Sequence, residues 1–194
     1  MQTYQGHTMG LTSCAISADC QRSISGSYDK TLKLWDTQSG QCLVTFEGHS
    51  NYVQDCAFSP NGQSIISASL DDTGRIWDLN GNVLHVLEGH TSNVYGCDWS
   101  PDGQLVLTCS HDKSIRIYTI RGEFIRRLDG HSNTVLKSHF ALEGDSILSA
   151  SWDKTAIIWT LVIFCMNYIL KNIEIFKLKG SKRFVTVRYR PNIT

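Results

Sequence analysis

The chain has 194 residues, long enough for one domain with a core of its own, and its 18 basic and 18 acidic side chains balance only in total. Residues 1–160 hold 11 Lys/Arg against 17 Asp/Glu, a net of −6, whereas residues 161–194 hold seven basic residues and only Glu174, a net of +6. The acidic stretch argues against a phosphate-tracking nucleic-acid surface on residues 1–160, and MQTYQGH lacks the basic and apolar regions of a signal peptide.

From the first residues onward one spelling returns four times: Gly-His, then an Asp, then Trp-Asp or a decayed form of it. The His column is His7, His49, His90 and His131; the Asp column is Asp29, Asp71, Asp112 and Asp153; the aromatic column is Trp35, Trp77, Tyr118 and Trp159. All three step by 42, 41 and 41 residues. A period of about 40–45 residues with these signatures predicts one propeller blade per repeat. The repeats run over about 7–47, 48–88, 89–129 and 130–160, with 161–194 outside the pattern.

MQTYQGH aligns with LVTFEGH (Leu43 to His49), so the chain begins inside an outer strand. Repeat two is the cleanest. VQDCAFS (Val53 to Ser59) reads as a first strand, and Asn61-Gly62 as a type I′ hairpin turn, in line with Asp102-Gly103, Glu143-Gly144 and the poorer Asp19-Cys20. SIISAS (Ser64 to Ser69) is the second strand, Leu70-Asp71-Asp72 a tight turn, RIWD (Arg75 to Asp78) the third strand and NVLHVLE (Asn82 to Glu88) the fourth. Four short strands without helical periodicity make a four-stranded antiparallel blade.

Seven cysteines are present; Cys14, Cys56 and Cys97 fall on the period, as small apolar fillers, where repeat four has Ser138. Without a Cys-x-x-Cys pair the sequence predicts neither a metal site nor a disulfide framework, no cofactor, and a reducing intracellular compartment, cytoplasmic or nuclear.

These columns make residues 1–160 resemble the WD-repeat family of β-propellers. The resemblance implies an all-β fold of four antiparallel four-stranded blades, and in each blade a hydrogen-bonded group of the Gly-His histidine, a second-strand hydroxyl, the turn aspartate and the aromatic residue. By position these groups are His7, Ser25, Asp29, Trp35; His49, Ser67, Asp71, Trp77; His90, Thr108, Asp112, Tyr118; and His131, Ser149, Asp153, Trp159. Repeat three departs at the aromatic. A buried Asp needs donors, which an imidazole N–H supplies.

Ser, His and Asp together suggest a hydrolase, but the set recurs four times at one position and no Gly-x-Ser-x-Gly accompanies it, so the structural role prevails. The residue before each turn Asp is a different matter: Tyr28, Leu70, His111 and Trp152 form a column of large, varied side chains. The resemblance places it on the top face near the channel mouth, where partner peptides dock. A second ring is Thr12, Gln54, Tyr95 and Leu136. The alternative is that both rings merely plug the channel mouth.

Register fails abruptly after Thr160: the period predicts a turn Gly at 163 and Gly-His at 171–172, and the chain has Ile163 and Lys171-Asn172. The tail reads as sequence of a different origin. It could supply the missing fourth strand of blade four, act as an anchor through the uncharged run Ala156 to Leu170, which is short for a membrane span, or lack order. Closing residues 1–5 onto blade four would complete four blades; otherwise the arc is open or incomplete, a fragment or half of a homodimer joined through its open edges. The function expected is a non-catalytic interaction scaffold with a protein or peptide partner. The alternatives are a regulatory or sensor module of a larger enzyme or switch protein, and a truncated product without independent function.

Overall fold

Short alternating segments closed by tight turns fold back on their neighbours, and four such segments in a row give each blade. The computed structural model describes residues 2–161 and 174–176. Blade one contains β1 (Leu11–Ile16), β2 (Arg22–Ser27), β3 (Leu32–Asp36) and β4 (Cys42–Phe46). Blade two contains β5 (Val53–Phe58), β6 (Ser64–Ser69), β7 (Gly74–Asp78) and β8 (Val83–Leu87). Blade three contains β9 (Val94–Trp99), β10 (Leu105–Ser110), β11 (Ser114–Thr119) and β12 (Phe124–Asp129). Blade four contains β13 (Val135–Phe140), β14 (Ser146–Ser151), β15 (Ala156–Thr160) and β16 (Glu174–Phe176). Each is an antiparallel meander in chain order, so the described residues are all-β as the repeats require.

The fourth strand of blade four comes from the tail, with Ile158 opposite Phe176, Trp159 opposite Ile175 and Thr160 opposite Glu174. Residues 2–5 do not complete that blade. Gln2 donates to the Ser39 carbonyl at 3.0 Å and Tyr4 stacks on Trp35 at 5.5 Å, both on blade one. Tyr4 takes the place that Phe46 has in blade two, edge-on to Trp77 at 5.7 Å, because an aromatic ring there gains apolar contact with the nearest indole. Ala156–Thr160, the start of the uncharged run, is strand β15; the rest of that run and the other expectations for the tail lie outside the described residues. Among the described residues no helix is long and apolar enough to cross a membrane.

The Asn-Gly hairpins differ from the I′ expectation. Gly62 N–H donates to the Ser59 carbonyl at 2.8 Å, and within this turn only Gly62, at φ 67°, is left-handed. Ser59-Pro60-Asn61-Gly62 is a type I turn, with proline fixing the second position and glycine in the fourth. Cys20, at φ 58°, bears the left-handed conformation in blade one without the freedom of glycine.

Packing between blades makes three cores. The first joins Ile24, Leu32, Leu34 and Phe46 of blade one to Val53, Cys56, Ile65 and Trp77 of blade two. The second joins Ile66, Ile76 and Leu87 to Val94, Cys97, Trp99 and Tyr118. The third joins Leu107, Ile115, Ile117 and Leu128 to Val135, Ile147, Ile157 and Trp159. The arc is not closed. Leu148, which repeats the position of buried Ile24, Ile66 and Leu107, is 53% exposed, and Leu11, which repeats that of buried Val53, Val94 and Val135, is 60% exposed. Cys56 and Cys97 lie in these cores, and burial pushes the Cys56 thiol up to about 12; Cys14, on the free face of blade one, is exposed.

Inside each blade runs a chain of polar contacts. In blade two, Trp77 Nε1–H donates to Ser67 Oγ at 2.8 Å, Ser67 Oγ is 2.7 Å from His49 Nε2, and His49 Nδ1 is 2.7 Å from Asp71 Oδ2. Asp71 only accepts, so Nδ1 carries the imidazole proton, and Nε2 accepts from the serine hydroxyl. The Ser50 and Thr73 N–H groups and the Thr73 hydroxyl complete the shell of Asp71. Blades one and four repeat the chain through Trp35, Ser25, His7 and Asp29 and through Trp159, Ser149, His131 and Asp153. In blade three, His90 bridges Asp112 and Thr108, while the Tyr118 hydroxyl donates to the Glu88 carbonyl at 3.0 Å, because a phenol reaches further than an indole N–H. Gly48 of the Gly-His pair has φ 145°, and a Cβ there would meet the Arg75 guanidinium at 2.6 Å.

Burial alone pushes Asp71 up, but the His49 hydrogen bond, the charge His49 carries at the acidic pH where the carboxyl titrates, and the bonds from Thr73 and Ser50 outweigh it, holding the carboxyl well below the usual range. Asp29 is held at about 2 in the same way, burial being outweighed by Thr31, His7 and Thr8. His49 is shifted down: burial disfavours its charged form more than Asp71 favours it.

Ser67→Ala strips the acceptor from Trp77 and the donor from His49 in a dry site, and should cost about 1–3 kcal/mol in urea unfolding. Ser132→Ala, at an exposed position, should stay within about 0.5 kcal/mol. The stabilising effect of neutral His49 is complete above its unfolded value of about 6.5, and that of the four aspartates above about 4; both are lost as pH falls. His139, raised by its hydrogen bond to Asp98, acts in the opposite sense, but its side chain is 62% exposed and screened. The urea midpoint should therefore hold between about pH 7 and 8, decline as pH falls from about 6.5 and again below about 4, and decline above about pH 9, where thiols buried in the fold ionise in the unfolded chain; a midpoint unchanged down to about pH 3 contradicts the linkage.

Candidate functional site

The turns ahead of β3, β7, β11 and β15 lie on one face, the top. Their third residues, Lys30, Asp72, Lys113 and Lys154, have φ of 71, 68, 72 and 68°, a conformation that costs non-glycine residues about 1 kcal/mol. The hydrogen bonds around the turn aspartate offset that cost and fix the residue ahead of it. Each such residue is pinned further by its own N–H: Tyr28 to Gly10, Leu70 to Tyr52, His111 to Asn93 and Trp152 to Thr134, at 2.9–3.0 Å. Tyr28, His111 and Trp152 are exposed and Leu70 is half-buried.

The inner ring has a structural cause that no sequence pattern announces. The first and second strands of every blade lose register at one place: Leu11 pairs with Ser27 and Ser13 with Gly26, leaving Thr12 out of the ladder. Gln54, Tyr95 and Leu136 are skipped in the same way. A bulge leaves one residue unpaired and re-aims it, so all four second-ring residues occupy bulges beside the top loops.

These residues do not all converge. Trp152 lies 6.1 Å from Tyr95 and 6.3 Å edge-on from His111, and His111 Nδ1 is 2.6 Å from Thr134 Oγ. That brings the third and fourth blades together in one aromatic cluster. Tyr28 instead packs edge-on against Tyr52 at 5.0 Å. Tyr52 escaped the sequence reading; its signal was a single aromatic in the polar loop after His49. Thr12 donates its hydroxyl to the Val53 carbonyl at 2.6 Å, so its proton is engaged within the fold and it offers a partner an acceptor oxygen and a methyl. Leu70, Gln54 and Leu136 are half-buried and enter neither aromatic cluster.

Deeper in the channel, Lys137 of blade four reaches Asp55 of blade two at 2.7 Å. Gly96 of blade three lies beside the pair, and a Cβ there would meet Cys109 Sγ at 2.8 Å and the Leu136 carbonyl at 3.1 Å, so the close approach of these strands needs glycine. The hydroxyls of Ser67, Thr108 and Ser149 are buried, and each is engaged by its histidine. Such a hydroxyl cannot reach a substrate carbonyl, so none of these three Ser/Thr-His-Asp groups is a nucleophile.

Known proteins share these features in short stretches. The chain is 59% identical over 39 residues to the vegetative incompatibility protein HET-E-1 of Podospora anserina, spanning 20% of this chain and 3% of that one. It is 43% identical over 44 residues to WD repeat-containing protein 18 of Bos taurus, 23% of this chain and 10% of that one. Over 37 residues it is 43% identical to the small ribosomal subunit protein RACK1 of Schizosaccharomyces pombe, 19% of this chain and 12% of that one. The matched stretches thus span a small part of each relative. A family profile described as WD domain, G-beta repeat matches residues 1–36, 40–78, 81–119 and 122–160. Each of the last three units takes the outer strand of one blade and the three inner strands of the next. Repeats of this kind generally mediate protein–protein interaction and are typically non-catalytic. With four profile matches laid over four blades and a His–Asp pair in every one, the chain belongs to the WD40-repeat family.

Proposed function

We propose that the chain is a non-catalytic interaction module that takes a protein or peptide on its top face, with the Tyr95, His111 and Trp152 cluster as its anchor. The observation that carries this reading is Trp152, its backbone fixed by a bond to Thr134 and its side chain 52% exposed beside two further rings. Tryptophan and tyrosine concentrate binding energy because they bury large, stiff surfaces at little entropic cost. Tyr28 with Tyr52 forms a second anchor, and Leu70, Gln54 and Leu136 supply apolar and amide contacts between the two. The net charge of −6 on residues 1–160 favours a partner that is not a nucleic acid.

A second reading is a regulatory module of a larger protein. It is supported by the Podospora anserina relative, of which the matched segment is only 3%.

Peptides selected from a displayed random library on the wild-type chain should bind Trp152→Ala at least about tenfold more weakly. Leu84→Ala, on the exposed outer strand of blade two, should leave that affinity unchanged. Selected peptides that bind both variants like the wild type would contradict the top-face assignment.

A further inference from the structure

The two ends of the arc expose different and matching surfaces. The free face of blade one is a groove of about 1250 Å³ lined by Tyr4, Met9, Leu11, Cys14, Ile16 and Trp35 among others. In blades two to four the same face is filled by the preceding blade. The free face of blade four is the opposite kind. Leu148 repeats Ile24, Ile66 and Leu107, and Ile158 repeats Leu34, Ile76 and Ile117, all six of them at most 2% exposed; Leu148 and Ile158 stand 53% and 37% exposed. Both free faces keep the apolar residues that make the internal cores.

We propose that these faces close on a second copy of this chain, blade four of each copy seating on blade one of the other, so that two arcs form one eight-blade ring. The contact continues an interface the chain already makes three times. Each internal core holds a residue of the Leu148 column together with one of the Ile16 column: Ile24 and Phe58, Ile66 and Trp99, Leu107 and Phe140. Such a contact is head-to-tail, and two of them related by a twofold axis close without a remaining edge; eight blades is within the range propellers adopt.

Charge does not oppose it. The strand β1, LTSCAI, has no ionisable group other than a thiol. Lys137 and His139 on β13 turn back to Asp55 and Asp98 within their own chain. Blade three binds the Asp55 carboxylate through the Cys97 N–H, and blade four binds Asp98 through the Phe140 N–H. The new contact would lack such a bond, but the first internal interface also has none from position 13, where Ser13 meets Cys56 Sγ at 3.2 Å.

Light scattering on the full chain at micromolar concentration should give about 44 kDa, twice the 21.8 kDa chain mass. Leu148→Asp and Ile16→Lys, both at exposed positions, should each yield a folded monomer by circular dichroism and scattering. Mixed in equal amounts they should recover the dimer, since one contact gains an Asp–Lys pair and the other is unaltered. Leu142→Asp, on a hairpin tip that is 91% exposed, should leave the dimer intact. A monomeric wild type, a dimer that survives Leu148→Asp, a mass growing past the dimer with concentration, or a mixture that remains monomeric would each overturn the head-to-tail ring.

Discussion

A carboxylate kept from water must be given donors, and every described blade is organised around meeting that demand. Asp71 accepts from an imidazole, two backbone amides and a hydroxyl, and the imidazole in turn is oriented by Ser67 and Trp77. The chain of bonds ties the loop before the first strand to the turn after the second and the middle of the third. It spans 22 residues of sequence between His49 and Asp71. Because the links run from one donor to the next in a single direction, losing one leaves two groups unpaired rather than one. The turn aspartate is also what holds a left-handed lysine or aspartate behind it and a large side chain ahead of it. The same interaction that stabilises a blade therefore presents its rim.

Blades are joined by the chain as well as by their cores. A family repeat begins on the outer strand of one blade and ends on the third strand of the next, so adjacent blades share a covalent unit. Tyr4 on Trp35 and Phe46 on Trp77 show the local reason: the segment leading into Gly-His places an aromatic ring on the next indole. Apolar faces repeat without regard to where the arc stops, which is why Leu148 and Leu11 stand exposed at positions buried elsewhere.

Much of this was legible in the sequence because it depends on spacing. Columns stepping by 42, 41 and 41 residues specify the blade count, the strand order and the residues of the polar chains in blades one, two and four, while Tyr118 leaves the chain of blade three for the Glu88 carbonyl. What the sequence concealed depends on backbone geometry. The bulges at Thr12, Gln54, Tyr95 and Leu136 change no residue type and leave no periodic trace. The left-handed lysines look like ordinary turn residues. Asn61-Gly62 alone signals a type I′ hairpin, but Pro60 ahead of it fixes the second position of a type I turn. The placement of residues 2–5 and of β16 depends on tertiary pairing that a broken repeat cannot announce.

Each blade depends on the direction of its hydrogen-bond chain, and the nitrogen resonances of the His49 ring report that direction. At neutral pH the ring should be a neutral imidazole with its proton on Nδ1, in slow exchange with water, and an unprotonated Nε2 coupled to the Ser67 hydroxyl. A proton on Nε2 alone, or a charged ring at that pH, would contradict it.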